Sequence, residues 1–85
     1  MLTEEQKQET RERIGQRIAA LRKLTGKSQV ELAEHAGIQR PHLTRIEQGK
    51  YSVQLDILQS IASEFGMVVD IVDPRMQGLA PLKPL

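Results

Sequence analysis

At 85 residues the chain has room for one small domain, and a single core of that size is marginal unless a second copy, a metal or disulfides reinforce it. The absence of cysteine removes disulfides and thiolate metal sites and suits a reducing cytosol. A formal net charge of +1, with Tyr51 and Phe65 as the sole aromatics, leaves no stacking platform for single-stranded bases, so among nucleic acids duplex DNA remains.

No apolar run approaches the roughly 20 residues of a membrane span, and no charged-then-apolar leader opens the chain, so a soluble, cytoplasmic protein with no membrane partner is expected. Thr3 and Gln6 stand at capping-box spacing, and Glu4 and Glu5 suit the positive end of a helix dipole. Together they predict a polar N-terminal helix or helical extension over residues 1–13. From Ile14 the pattern turns apolar: Ile14, Ile18, Leu21 and Leu24 recur at helical spacing until Gly26 ends the run.

Residues 28–47, SQVELAEHAGIQRPHLTRIE, read as two short amphipathic helices joined by a tight turn. Ser28 is placed to accept a hydrogen bond from a free backbone N–H, with Glu31 three residues on to complete a capping box. Val30, Leu32, Ala33 and Ala36 then give a narrow apolar face, and Ala33 is small where a second helix would cross. Gly37 sits where the chain must reverse within about 3–4 residues, a position that takes a left-handed backbone. Ile38 plugs the turn into the core, Gln39 is a passable cap, and Pro41 falls at a helix start, where its missing N–H has no partner to lose. Leu43 and Ile46 turn inward, which leaves Arg40, His42, Thr44 and Arg45 facing outward. Glu47, Gln48 and Gly49 close the second helix. This is the pattern of a helix-turn-helix that lays its second helix in the DNA major groove.

Beyond a loop at residues 49–52, Leu55, Leu58, Ile61, Ala62 and Phe65 mark a further core helix that stops at Gly66. Residues 67–73 break the helical period and are rich in β-branched side chains, which predicts a strand. One strand cannot satisfy its own backbone groups. Met67, Val68, Val69, Ile71 and Val72 are therefore expected to pair antiparallel with the same residues of a second copy across a two-fold axis, making a homodimer. The other solution is an extended segment folded back on its own helices. Residues 74–85, with Pro74, Gly78, Pro81 and Pro84 among scattered Met76, Leu79, Leu82 and Leu85, read as a flexible tail.

Charge is unevenly distributed. Residues 14–27 carry Arg17, Arg22, Lys23 and Lys27 with no acid, for +4, while residues 28–50 balance to 0, residues 1–13 sum to −1 and residues 51–85 to −2. A local basic patch in and before the motif, rather than the total, sets the potential that phosphates would feel.

From Ile14 to about Asp70 the chain resembles the phage lambda repressor-like, XRE-type family of helix-turn-helix domains. Gln29, Leu32, Ala33, Gly37, Ile38, Leu43, Ile46, Glu47 and Gly49 fall in register with that family's pattern. The resemblance implies an all-α, compact five-helix DNA-binding domain over residues 14–66, encoded by a bacterium or a phage. It also implies that Arg22 reaches Glu47 to orient the reading helix, with Arg22, Ala33, Gly37, Ile38, Glu47 and Gly49 as the structural positions of the motif. Small antitoxin-type members dimerise through a C-terminal strand, which implies the same for residues 67–73.

Under this reading Gln39, Arg40, Pro41, Thr44 and Arg45 are the candidate base-reading residues. A guanidinium can donate two hydrogen bonds to guanine, Thr44 can bond a base edge or touch a thymine methyl, and Pro41 offers apolar contact only. Because many relatives carry a polar residue where Pro41 stands, their sequence preference does not transfer simply. Gln29, His42 and Lys50 are the candidate phosphate contacts, helped by free N–H groups at a helix start.

No cofactor, metal or small-molecule substrate is expected. His35 and His42 lack cysteine or a matching acidic cluster. Ser28, Ser52 and Ser60 lack the glycines of a nucleophile elbow, and there is no glycine-rich phosphate loop. The expected function is therefore not enzymatic. It is a sequence-specific, double-stranded DNA-binding regulator, a dimeric repressor of an inverted-repeat operator. The alternative is an antitoxin that neutralises a partner toxin protein and represses its own operon.

Overall fold

The computed structural model describes residues 1–75 and contains four helices: α1 (Glu4–Leu24), α2 (Gln29–Ala36), α3 (Arg40–Glu47) and α4 (Leu55–Ser63). The first two starts form as their spacing predicts. Thr3 Oγ1 accepts from the Gln6 N–H at 3.1 Å while Gln6 Oε1 accepts from the Thr3 N–H at 2.9 Å, and Ser28 and Glu31 repeat the exchange at the head of α2. Gln39, by contrast, makes no side-chain cap at α3, whose start relies on Pro41 in the first turn.

The resemblance implied five helices, and four are found among the described residues. The polar residues 4–13 and the apolar-faced residues from Ile14 onward are one continuous 21-residue helix. Nothing at the junction of Arg13 and Ile14 can stop it, since Gly15 alone lowers helix propensity by only about 1 kcal/mol relative to alanine. The polar half is also tied in, because Gln8 Nε2 donates to the Gly49 carbonyl at 3.2 Å.

Ile18, Leu32, Ala33, Leu43, Ile46 and Ile61 form the buried core, drawn from all four helices. Leu32, Leu43 and Ile61 are each less than 2 % exposed, and burial of such side chains stabilises by roughly 1.5–3 kcal/mol apiece. Leu24, Val30 and Leu55, which the periodicity placed on apolar faces, are instead exposed. Each lies in the first or last turn of its helix.

The turn between α2 and α3 closes by backbone bonds. Gly37 takes φ 75°, and the Ile38 N–H donates back to the Ala33 carbonyl at 2.9 Å. This joint satisfies orphan carbonyls at the end of α2 and aims the chain into α3.

The strand expected at residues 67–73 is not formed, and no β-strand exists among the described residues. The segment instead lies back on α4, where the Met67 N–H donates to the Ala62 carbonyl at 3.0 Å and one side chain holds the residues around it. Gln59 Oε1 accepts from the Val69 N–H at 2.8 Å, and Gln59 Nε2 donates to the Met67 carbonyl at 3.3 Å. A single carboxamide thus meets backbone groups that would otherwise require a neighbouring strand. Asp73 then accepts from the Arg75 guanidinium and, to a lesser extent, its backbone N–H, which lowers its carboxyl below the usual aspartate range. Of the tail expected over residues 74–85, residues 76–85 lie outside the described residues.

Candidate nucleic-acid interface

Helix α3 alternates what it buries and what it shows. Leu43 and Ile46 are at most 2 % exposed and point to the core, while Arg40, Pro41 and Arg45 face outward and Thr44 is half-buried between them. Arg40, Pro41, Thr44, Arg45, Gln48 and Lys50 line one shallow surface cleft. Arg40, Arg45 and Lys50 form no ion pair among the described residues. Three cations are therefore left facing outward from one short helix and its C-terminal turn.

Other candidates lie differently. Gln39 is exposed at the head of α3 and lines a separate groove with Val30, Glu34 and Ile38. His42 is half-buried and packs against Tyr51, with ring centroids 5.1 Å apart and planes tilted by 35°. It does not line the cleft that gathers Arg40, Thr44 and Arg45. Gln29 is half-buried, and both ends of its carboxamide are engaged within the protein: Nε2 donates to Glu47 Oε1 at 3.0 Å, and Oε1 accepts from Thr44 Oγ1 at 3.2 Å. Its side chain is a strut beneath α3.

Helix α3 is anchored at its C-terminal end by an ion pair. Arg22 Nε donates to Glu47 Oε2 at 2.7 Å and Arg22 Nη2 to Glu47 Oε1 at 3.1 Å, a bidentate arrangement with side chains only 13 % and 7 % exposed. The hydrogen bonds that Arg22 donates to the Glu47 carboxylate raise its pKa above the ordinary value, against the opposing effect of burial. Arg22 Nη1 also donates to the Lys27 carbonyl at 3.2 Å, so one guanidinium links the end of α1, the loop before α2 and the end of α3. Because desolvation offsets much of the Coulomb gain of a buried pair, its weight is in fixing the pose of α3.

Two glycines that the sequence reading did not assign to this anchoring set how close the elements come. A Cβ at Gly15 would collide with the backbone carbonyls of Ile46 and Glu47, and one at Gly49 would meet the backbone of Glu12 at 2.8–2.9 Å. The sequence pattern marks Gly49 only as a helix stop and gives Gly15 no role. The signal available for Gly15 was its position inside a helical pattern, where glycine carries a penalty that a close crossing explains.

Glu64, near the end of α4, gathers Lys27 Nζ at 3.9 Å and His35 Nδ1 at 3.3 Å. Lys27 and Arg22, half of the basic cluster at residues 14–27, are thus turned toward carboxylates of the protein. Near Tyr51, a small cavity of about 160 Å³ is lined in part by Ile14, Ile46, Val53 and Leu58. The Tyr51 hydroxyl and Arg11 Nε are buried there without a hydrogen-bond partner among the described residues.

A short helix seated across a second one, with its inner face in the core and its outer face cationic, defines the helix-turn-helix class of domain. The family model described as helix-turn-helix matches residues 18–68. The immunity repressor protein of Bacillus phage phi105 is 39 % identical over 59 residues, a match that covers 69 % of this chain and 41 % of the repressor. The crystal structure of the clp gene regulator ClgR from Corynebacterium glutamicum superposes with a TM-score of 0.66 at 28 % identity, over 68 % of this chain and 62 % of that one. The chain belongs to the XRE-type helix-turn-helix family of DNA-binding transcriptional regulators. It spans less than two thirds of the length of either relative.

Among the described residues no helix is long and apolar enough to cross a membrane.

Proposed function

We propose that this chain is a DNA-binding transcriptional regulator that acts as a dimeric repressor of an inverted-repeat operator. The observation that carries the reading is the outer face of α3, where Arg40, Pro41, Thr44 and Arg45 share a cleft with Lys50 and the cations have no acidic partner among the described residues. With α3 in the major groove, Arg40 and Arg45 would reach base edges and Thr44 would add a contact between them. Gln39 at the head of the helix would complete the reading set. Lys50, at the exposed turn after α3, would take a phosphate, as would His42 at the margin of the face. Gln29 would offer the groove edge its backbone N–H at the start of α2, since its side chain is occupied.

Dimerisation is the second part of the proposal. Met67, Val68, Ile71 and Val72 are between 47 % and 91 % exposed, an apolar face that a second copy would cover. Two reading helices related by a two-fold would then engage half-sites about 34–36 Å apart.

Selection of random duplex DNA by the purified protein tests both parts. An enriched inverted repeat is the expected result, whereas enrichment of nothing, with weak and steeply salt-dependent binding, overturns it. Within the selected site, Arg45→Ala should cost about 1–3 kcal/mol and relax one base position, while Lys50→Ala should weaken cognate and random duplex alike. The reading as an antitoxin draws on the same exposed segment. It requires co-purification with a protein encoded beside this one, and toxicity of that protein expressed alone.

A further inference from the structure

Thr44 has the most open chemistry of the α3 face, because a hydroxyl carries one proton and two lone pairs and can meet a base as donor or as acceptor. The network behind it removes that freedom. Glu47, held by two bonds from Arg22, is a carboxylate and can only accept. The Gln29 carboxamide must therefore turn its Nε2 toward Glu47 Oε1, 3.0 Å away, and this leaves its Oε1 facing Thr44 Oγ1 at 3.2 Å. The other near neighbour of the hydroxyl is the Arg40 carbonyl at 3.1 Å. Both are acceptors, but the Arg40 carbonyl has the N–H donor that the α3 ladder supplies, while Gln29 Oε1 has no other donor among the described residues, so the Thr44 proton is committed to Gln29.

We infer that Thr44 meets DNA as an acceptor only, its polarity set by Gln29 as a positioning residue, and that it selects a base edge bearing an exocyclic amine, adenine N6 or cytosine N4. A base carbonyl in the same place, guanine O6 or thymine O4, would need the proton turned outward. That would strip Gln29 Oε1 of its donor inside a contact from which water is excluded, a penalty larger than a neutral hydrogen bond returns. The inference rests on the proposed base-reading role of α3 and specifies which chemical group one of its residues recognises.

The test is functional-group deletion in the DNA. Selection with the wild-type chain and with Thr44→Val, which is close in shape but has no hydroxyl, locates the base pair that Thr44 touches. At that pair adenine is replaced by purine, or cytosine by 2-pyrimidinone, so that only the amine is lost, and affinities are measured by fluorescence anisotropy. Loss of the amine should weaken the wild type about tenfold and leave Thr44→Val nearly unaffected. Thr44→Ser, which keeps the hydroxyl, should retain the dependence. Gln29→Met fills the same space without an acceptor, and it should reduce the preference for amine over carbonyl to about twofold or less, with thermal unfolding confirming that the variant is folded.

The inference is overturned if affinity follows guanine O6, deleted with 2-aminopurine, or the thymine methyl, deleted with deoxyuridine. It is equally overturned if Thr44→Val changes no position, or if Gln29→Met keeps the discrimination. A wild-type chain that enriches no sequence overturns the proposed function itself, and that result is distinct from all of these.

Discussion

Residues 28–47 and residues 67–75 are both short stretches with several branched apolar side chains, and the chain treats them differently. In the first, Leu32, Ala33, Leu43 and Ile46 are at most 2 % exposed, both helices have defined ends, and polar side chains bond to one another across the turn. In the second, Met67, Val68, Ile71 and Val72 are largely exposed, and backbone bonding rests on one bond from the Met67 N–H to the Ala62 carbonyl, on Gln59 and on local aspartates. The difference teaches that an apolar pattern becomes buried structure when the backbone can close its own hydrogen bonds nearby. A helix does so within a few residues, whereas a strand needs a partner that a lone segment does not have.

Substitutions should divide along the same line. The largest effect is expected at Arg22. Arg22→Met leaves the Glu47 carboxylate buried with Gln29 as its remaining side-chain donor, and should lower unfolding stability by about 2–3 kcal/mol in urea titration, somewhat under the range for fully enclosed pairs. Adding Glu47→Leu should recover part of this, because the double change removes the stranded charge. A double variant no more stable than Arg22→Met would mean that the pair is a surface contact. Next comes Gly15→Ala. Helix propensity alone would favour it by about 1 kcal/mol, but its Cβ meets the carbonyls at the end of α3, and overpacking of this kind costs roughly 1–3 kcal/mol. Net destabilisation is expected, and a gain in stability would show that α1 and α3 can separate freely.

The other region should respond weakly and locally. Gln59→Leu should change global stability by less than about 1 kcal/mol. It should also abolish exchange protection of the Val69 amide while leaving the α3 amides untouched, a contrast that NMR-detected hydrogen exchange reads directly. The smallest effect is expected at Tyr51→Phe. The hydroxyl is buried and makes no hydrogen bond among the described residues, so its removal should leave stability within about 0.5 kcal/mol or raise it. A loss of more than about 1 kcal/mol would reveal a partner for it.

Much of the motif was legible because its signals are local. The capping spacings of Thr3 with Gln6 and of Ser28 with Glu31, the turn at Gly37 and the inward Leu43 and Ile46 each depend on residues within a few positions of one another. The close approach of Gly15 to Ile46 and the link from Gln8 to Gly49 depend on how distant elements cross, which no local pattern encodes. The engagement of Gln29 was hidden for a similar reason: position at a helix start suggests a free side chain, and only the arrival of Thr44 and Glu47 from α3 shows where both ends of it go. The unformed strand reflects a limit of composition. β-branched residues favour a pleated surface when one is available, and propensity alone does not supply the adjoining strand.

The hold of Gln59 on residues 67 and 69 bears on any association through that face. Fixing the backbone of a residue costs about 1–2 kcal/mol of conformational entropy, and here part of that ordering is completed when the monomer folds. A surface that docks there would meet a segment already in place. Its binding should therefore show a heat-capacity decrement set by the apolar area covered, without the larger decrement of a chain that folds on contact.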